Sequence, residues 1–373
     1  MMIPVTQPFL PPKDEYDHLI SRLWDSKWLT NNGVYVRQLE EELEEYLNVP
    51  SCYYVGNGTI ALQLAIQSLK LKNEIITTPF SFVATTTSIL WENCEPVFVD
   101  IDPNTLCIDP NKIEEAITSN TEAILATHVY GIPCDVERIE EIAKKHHLKV
   151  IYDAAHAFGV RYKGESLLQF GDISTLSFHA TKPFHTVEGG AIINNMGERV
   201  DNQIALLRSF GFRGDDYVTA GINAKNSEFH AAMGLCNLKY IDDIITNRKK
   251  TSETYDTLLE NRVERPFISG DVQYNYAYYP VIFETEEELL HAKSQLENND
   301  IESRRYFYPS LNTMTYLKNT ISCPISEDMA RRILCLPLFS GLNDEDVERI
   351  ANIIIGEKIN EFAHNRRSRL HRV

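Results

Sequence analysis

The stretch KVIYDAAHAFG (149–159), followed after a polar connection by STLSFHATKPFHTVEGGAI (174–192), decides how this chain is read. Its first apolar run, Val150-Ile151-Tyr152, delivers a carboxylate, Asp153. A second run, Ile173 to Phe178, delivers a lysine, Lys182, and then the pair Gly189-Gly190 leads into Ala191-Ile192-Ile193. An acid at one strand end and a lysine just past another can share one crevice at the carboxyl edge of a parallel sheet, where open α/β sheets bind ligands. An amine that can form a Schiff base and a carboxylate that can hold a pyridine nitrogen are the pair that pyridoxal phosphate requires. A surface lysine and a helix-capping aspartate would read the same way in isolation, so the rest of the chain has to decide.

Outward from this stretch, strands and helices alternate. Strands are predicted at Cys52–Val55, Glu74–Thr77, Pro96–Ile101, Glu122–Thr127, Lys149–Asp153 and Ile173–Phe178. Helical periodicity lies between them, in IALQLAIQSL (60–69), in PFSFVATTTSILWE (79–92) after its loop, at Lys112–Thr118 and at Val136–His146. Such alternation implies crossover units and a mainly parallel sheet, here of seven strands flanked by helices. Near-continuous apolar strands such as KVIY fit a sheet covered on both faces. Before this region, Asp14–Trp24 and Val36–Leu47 read as helices joined by KWLTNNG (27–33), whose Asn-Asn-Gly is turn chemistry. After it, Glu198–Phe210 and a long Asn226–Arg248 read as helices, then the pattern changes. A strand-like Tyr276–Phe283 and helices at Glu286–Asn298, Glu327–Leu334 and Asp344–Ile355 suggest a smaller α+β unit. The expected division is therefore residues 1–245, a large cofactor-binding domain with an N-terminal segment, and 246–373, a small C-terminal domain.

Composition narrows the function classes. The chain has 373 residues, 53 acidic against 36 basic, for a net charge of −17. That balance argues against a nucleic-acid-binding surface, which would be basic. The seven cysteines are scattered, none at CxxC spacing, so neither a disulfide framework nor a zinc site is expected, and no metal is assigned. No apolar run reaches the length of a membrane span and the start lacks a signal-peptide core, so a soluble cytoplasmic protein is expected. The basic tail HNRRSRLHRV (364–373) is expected to fray.

Four motifs, GNGTIAL (56–62), TTPFSFVAT (77–85), YDAAHAFG (152–159) and SFHATKPFHTVEGGAI (177–192), stand in order and at the spacing of one family. With them the chain resembles the pyridoxal-phosphate-dependent nucleotide-sugar aminotransferases of the DegT/StrS type, which share the aspartate aminotransferase fold. The resemblance runs from PVTQPFLPP (4–12) and KWLTNNG to RRYFYPSL (304–311). It implies that Lys182 is the Schiff-base lysine and the catalytic base that moves a proton at the substrate carbon. Such a base must have its pKa depressed from the ordinary ~10.4 by burial and nearby positive charge. The resemblance also implies that Asp153 sits against the pyridine nitrogen, that His156 touches the cofactor near its 3′ oxygen, and that Phe82 stacks on the ring.

For the phosphate, Gly58 and Thr59 stand just before a helix, whose N-terminal N–H groups make an anion site, and Ser177 adds a hydroxyl. Asn223, in AGINAKNSEFHAAMG (220–234), matches an asparagine that reaches the phosphate in the neighbouring subunit, which implies a homodimer with shared active sites. Asn226 departs from the methionine or leucine commoner there, and a family histidine after the Tyr-Pro segment is absent, with Asn312 near its place. Thr30, Asn31, His185, Tyr306, Tyr308 and Asn312 are the substrate candidates.

The implied activity is transfer of the amino group of L-glutamate to a nucleotide-linked keto-deoxysugar, in a ping-pong scheme. The N-terminal pattern and the segment after Lys182 look most like enzymes that aminate C4 of dTDP-4-keto-6-deoxy-D-glucose for surface polysaccharide, including O-antigen. A C3 ketone or a UDP carrier, a sugar dehydratase using the same cofactor, and an inactive cofactor-binding regulator are the alternatives. The presence of lysine at 182, where related dehydratases carry histidine, favours transamination.

Overall fold

The computed structural model describes residues 2–318 and 321–356, so the basic tail lies outside the described residues. Seven strands form the central sheet: β1 (Cys52–Val55), β2 (Glu74–Thr77), β3 (Glu95–Phe98), β4 (Thr121–Thr127), β5 (Lys149–Asp153), β6 (Ile173–Ser177) and β7 (Gly190–Asn194). Their spatial order is β1-β7-β6-β5-β4-β2-β3. All neighbours pair in parallel except β7, which runs antiparallel to both β1 and β6. This is the mainly parallel, helix-flanked sheet that the alternation predicts.

Side chains along each strand alternate between two cores, as the period of two requires. Ile76, Ile124, Val150, Tyr152 and Leu176 join one core with Leu39 and Leu43 of the helix Val34–Leu47 and Ile139 of Val136–His146. Ile75, Leu125, Ile151, Ile173 and Ile192 face the other, against Leu62 and Ile66 of the helix Gly58–Ser68 and Ile204 of Glu198–Leu207. Burial on both faces is why apolar residues of both alternating sets run through the middle of strands such as Val150-Ile151-Tyr152. All seven cysteines are buried, consistent with their use as small apolar side chains.

Two expected helices are redrawn. Asn226–Arg248 is not one helix but two, Glu228–Leu238 and Ile241–Leu258, because the chain turns at Lys239-Tyr240. Both of those side chains bond Glu15 of the helix Lys13–Ser26, a tertiary contact invisible to periodicity. Glu327–Leu334 is also split: the helix is Pro324–Arg332, and Ile333–Leu336 is a strand paired antiparallel with Tyr279–Ile282. An apolar ILCL segment suits helix or strand, and the partner strand settles it.

One face of that strand pair, Tyr279, Val281, Leu334 and Leu336, lies in a separate core with Tyr255, Leu289, Leu296, Val347 and Ile350, while Ile282, Ile333 and Cys335 join the sheet core. The helix Ile241–Leu258 runs across positions 245 and 246, with Ile244 in the sheet core and Tyr255 in the second. Ile3 also packs into the second core and bridges Ile301, so the start of the chain is tied to its C-terminal part.

Candidate active site

At the carboxyl ends of β5 and β6 lies a cleft of about 370 Å³. Asp153 ends β5, directly beside Thr175 of the adjacent parallel strand β6. Lys182 follows β6 on a turn where its own N–H donates to the His179 carbonyl at 2.9 Å. Adjacent strands and one short turn thus bring both side chains to the same cleft wall. Gly58, Thr59, Phe82, His156, Ser177 and Tyr306 line it as well.

Asp153 is buried and held by two donors: the Thr85 hydroxyl at 2.6 Å and the Ala155 N–H at 3.1 Å. Burial pushes its carboxyl above the usual range, opposed by those two bonds and by the charge of Lys182. A buried carboxylate facing a cleft with only neutral donors in contact is under-compensated, and a cationic N–H partner would complete it. Lys182 donates to the Tyr278 hydroxyl at 3.1 Å. Burial lowers its pKa to about 8, with the charge of Asp153 opposing and that of Arg304 adding to the fall. The amine is therefore much closer to a usable nucleophile and base than an exposed lysine.

His156 is buried, and its Nδ1 accepts the Tyr130 N–H at 3.1 Å. Burial, then the nearby Lys182 charge, holds its pKa well below the ordinary value. The ring is neutral at physiological pH and carries its proton on Nε2. It lies parallel to Phe307, with ring centroids 5.6 Å apart, which fixes its plane.

The opposite end of the cleft suits an anion. Gly58 and Thr59 open the helix Gly58–Ser68, and their N–H groups have no acceptor within the helix. The Asn57 side chain caps that helix by accepting the Ile60 N–H at 2.9 Å. This turn presses against the sheet: a Cβ on Gly190 of β7 would stand 2.5 Å from the Asn57 carbonyl carbon. The Gly189-Gly190 pair thus has a steric purpose beyond its place in a motif. Phe82, 49 % exposed despite its size, lines the cleft.

Not every candidate reaches this cleft. His185 is buried elsewhere, its Nε2 bonded to the Phe9 carbonyl at 2.7 Å and its Nδ1 accepting the Val187 N–H. Asn312 is also buried, and its carboxamide is used by Ser310, Glu327 and the Ile321 carbonyl. Both are structural, and neither lines the cleft. Tyr308 lies outside it, exposed, under the Arg305 guanidinium at 3.6 Å. Thr30, Asn31 and Asn223 are exposed and lie outside the cleft of their own chain. Asn226, the departure from the family pattern, bonds the Tyr54 hydroxyl and the Glu188 carbonyl, so it is accommodated by local packing. The cleft also contains residues that the sequence reading did not assign: Ser81, Thr127, Tyr278 and Arg304. Thr85, behind Asp153, was missed too. It is the last residue of the TTPFSFVAT motif, which was its one signal.

The profile of the DegT/DnrJ/EryC1/StrS aminotransferase family matches residues 13–355. The chain belongs to that family. It is 42% identical over 366 residues to a dTDP-4-amino-4,6-dideoxy-D-glucose transaminase of Escherichia coli, covering 95% of this chain and 98% of that protein. A GDP-perosamine synthase of Escherichia coli O157:H7 is 34% identical, with 96% and 98% covered. The crystal structure of DesI with its TDP-sugar product superimposes with a TM-score of 0.90 at 29% identity, over 97% of this chain and 96% of that one. This aminotransferase therefore shares the fold and family expected from its four motifs. Family members use pyridoxal phosphate, and the donor set described above fits that cofactor: a lysine amine, a buried carboxylate whose direct hydrogen-bond donors are neutral, an exposed aromatic side chain and a helix N-terminus. Among the described residues, no helix is long and apolar enough to cross a membrane.

Proposed function

We propose that this aminotransferase moves the amino group of L-glutamate to C4 of dTDP-4-keto-6-deoxy-D-glucose. The product is dTDP-4-amino-4,6-dideoxy-D-glucose, a cytoplasmic precursor for surface polysaccharide such as O-antigen. The observation that carries the reading is the meeting of Lys182 and Asp153 in one cleft, in a chain 42% identical to a transaminase of that product. When bound, pyridoxal phosphate supplies an aldehyde for a lysine and a ring that takes up electrons from a broken C–H bond.

The protein residues do the rest. Asp153 would hold the ring nitrogen protonated, His156 would donate from Nε2 to the ring oxygen, and Phe82 would pack against the ring. Gly58, Thr59 and Ser177 bind the phosphate. Lys182 moves the proton at the substrate carbon, which its lowered pKa permits. Tyr306, in the cleft wall, is a substrate contact.

The working unit in this reading is a homodimer with shared sites. Its support is a set of large apolar side chains left exposed on this chain, Trp28, Leu29, Val34, Val187, Phe210 and Ile222. Asn223, exposed beside Ile222, would reach the partner's phosphate, and Thr30 and Asn31 the partner's sugar. The large and small domains, 1–245 and 246–373, then close the cleft from two sides. The decisive experiment incubates the cofactor-loaded enzyme with glutamate and 4-keto and 3-keto sugars on dTDP, UDP and GDP carriers. Mass spectrometry detects the added nitrogen and NMR locates it. If no sugar gained nitrogen, the reading would be wrong.

A further inference from the structure

Lys182 and Asp153 carry opposite charges in one cleft, yet they do not pair. Among the described residues, the Lys182 amine has no carboxylate within 4.0 Å, although it feels the charge of Asp153. Its hydrogen bond goes instead to a neutral oxygen, the Tyr278 hydroxyl at 3.1 Å. Tyr278 is buried in the cleft wall, and each of the four residues before it is tied down. Arg248 of the helix Ile241–Leu258 donates to the Tyr276 and Ala277 carbonyls at 2.8 and 2.6 Å. Asn275 donates to the His156 and Phe158 carbonyls at 2.8 and 2.9 Å, and the Tyr274 hydroxyl to the Tyr130 carbonyl at 2.8 Å. The Tyr278 ring crosses those of His156 and Tyr306 at 65° and 69°, with centroids 4.8 and 5.3 Å away. Arg248 is itself buried and, among the described residues, has no carboxylate within 4.0 Å. Burying a guanidinium on carbonyl oxygens alone is costly, and what it holds is the backbone that presents Tyr278.

We propose that Tyr278 is a positioning residue: its hydroxyl holds the Lys182 amine off Asp153, so that amine and carboxylate stay available for separate tasks. The inference rests on the proposed role of Lys182 as the amine that captures pyridoxal phosphate, and on no property of the amino donor or the sugar. A lysine head is a compact charge on a flexible four-carbon stem, so without a fixed acceptor it is drawn to a nearby carboxylate. The titratable groups around it are Asp153 at the end of β5, His156 beyond it, His179 and Glu188 on the lysine's own loop, and Arg304 and Tyr306 across the cleft. Of the two carboxylates, Glu188 faces His179 at 3.6 Å, whereas Asp153 has only neutral donors, so Asp153 is the one that draws the amine. Contact with it would have two consequences. An opposite charge favours the protonated amine, but capture needs the neutral one: nitrogen bonds the aldehyde carbon, and the aldehyde oxygen leaves as water with two of the nitrogen's hydrogens. The carboxylate would also be occupied by lysine rather than by the ring nitrogen. A phenol accepts one N–H, adds no charge and leaves the amine its lone pair.

The test compares wild type with Tyr278→Phe, Asp153→Asn and the double variant, each as the full chain freed of cofactor and mixed with excess pyridoxal phosphate. Stopped-flow absorbance gives the rate of covalent capture from pH 6.5 to 10, with neither glutamate nor sugar present. In Y278F the midpoint of the pH profile should rise by about one unit, the lower end of what an adjacent opposite charge does. Capture at pH 7 should slow by about 10-fold as a result. In the D153N background there is no such anion to fall onto, so adding Y278F should move the midpoint by less than about 0.3 unit. Thermal midpoints of all four proteins check that the fold is kept. A packing role alone would lower the thermal midpoint of Y278F and leave its pH profile in place, and that result overturns the proposal. An equal pH shift in both backgrounds overturns it too. If wild type captures pyridoxal phosphate and Y278F matches it throughout, the role of Tyr278 alone fails. If wild type forms no covalent link, the reading of Lys182 fails and the proposal with it.

Discussion

Thr85 donates its hydroxyl to Oδ2 of Asp153 at 2.6 Å, joining the first turn of the helix Val83–Trp91 to the end of β5. Thr85 is itself 2.6 Å from the Ser81 hydroxyl, which reaches Thr127 at 3.0 Å, so the carboxylate ends a buried chain of hydroxyl groups. Burial works to protonate Asp153 and Thr85 works against it. Thr85→Val keeps the shape and removes the donor, so the carboxyl pKa should rise further. A hydrogen bond to a charged group contributes about 1.5–3 kcal/mol, so cofactor retention should weaken by roughly 10- to 100-fold. A titration of apoenzyme with pyridoxal phosphate, followed by fluorescence, measures it; unchanged affinity would remove Thr85 from the site.

Lys182 has a folded pKa of about 8 against an ordinary 10.5. The neutral amine is the reactive form, so its capture of an aldehyde should accelerate as pH rises and level off above about 8. An exposed lysine would still be accelerating near 10. Stopped-flow absorbance of apoenzyme mixed with pyridoxal phosphate from pH 6.5 to 9.5 reads this directly. Lys182→Ala should lose the covalent link altogether, and transamination with it. Tyr278→Phe removes the acceptor for the amine but not the burial that dominates its shift, so the apparent pKa should stay well below 10.5.

What could be read in the sequence, and what could not, follows from how local each signal is. Lys182, Asp153, Gly58 and Ser177 sit in contiguous motifs whose order carries their meaning, and all four meet in the cleft. Strands such as β5 were legible because burial on both faces leaves consecutive apolar residues, Val150-Ile151-Tyr152. The turn at Lys239-Tyr240 was not: its side chains bond Glu15, more than two hundred residues away in the chain. His185 and Asn312 are polar and close to a motif, but neither lines the cleft: His185 bonds the distant Phe9 carbonyl, and the Asn312 carboxamide bonds Ser310, Glu327 and the Ile321 carbonyl. Arg304 and Arg305 are identical letters in sequence, and only the folded chain sets one against Glu286 and the other over the Tyr306 ring in the cleft wall.

Gly190 offers a steric test of the phosphate end. It pairs with Val55 of β1 on one side and Ser177 of β6 on the other, beneath the Asn57-Gly58 peptide. A methyl group there would meet backbone atoms at 2.5 and 2.7 Å, which cannot swing aside as a side chain could. Gly190→Ala should cost about 1–3 kcal/mol from overpacking and displace the helix start. Both a lowered thermal midpoint and weaker binding of inorganic phosphate to the apoenzyme are expected. A loss of stability with phosphate affinity intact would mean that the anion does not sit on this turn.

Glu228 gives the last prediction, and its sign depends on which part of the side chain is removed. The helix Val34–Leu47 begins at Gly33 with no side-chain cap of its own. A carboxylate from another helix replaces it: Glu228 accepts the Tyr35 N–H at 2.7 Å and the Val36 N–H at 3.4 Å. Gly33 is needed for this, since a Cβ would stand 2.6 Å from the carboxyl carbon. Burial raises the Glu228 pKa although those N–H groups lower it, so the charge is a net burden on the folded chain at neutral pH. The folded state binds this proton more readily than the unfolded state, so the burden is present above the folded pKa and fades as pH falls toward the ordinary value of 4.5. Glu228→Gln keeps an acceptor and drops the charge, so it should equal wild type or exceed it slightly at pH 7, with the difference vanishing in acid. Glu228→Ala strips both N–H groups of their acceptor and should destabilise by about 1–3 kcal/mol. Denaturant melts at pH 7 and pH 5 compare the three proteins, and hydrogen exchange at Tyr35 and Val36 should quicken only in E228A. If E228Q proved as damaging as E228A, the charge itself would be the cap, and the connector carrying Thr30 and Asn31 would be held by electrostatics rather than by a satisfied pair of donors.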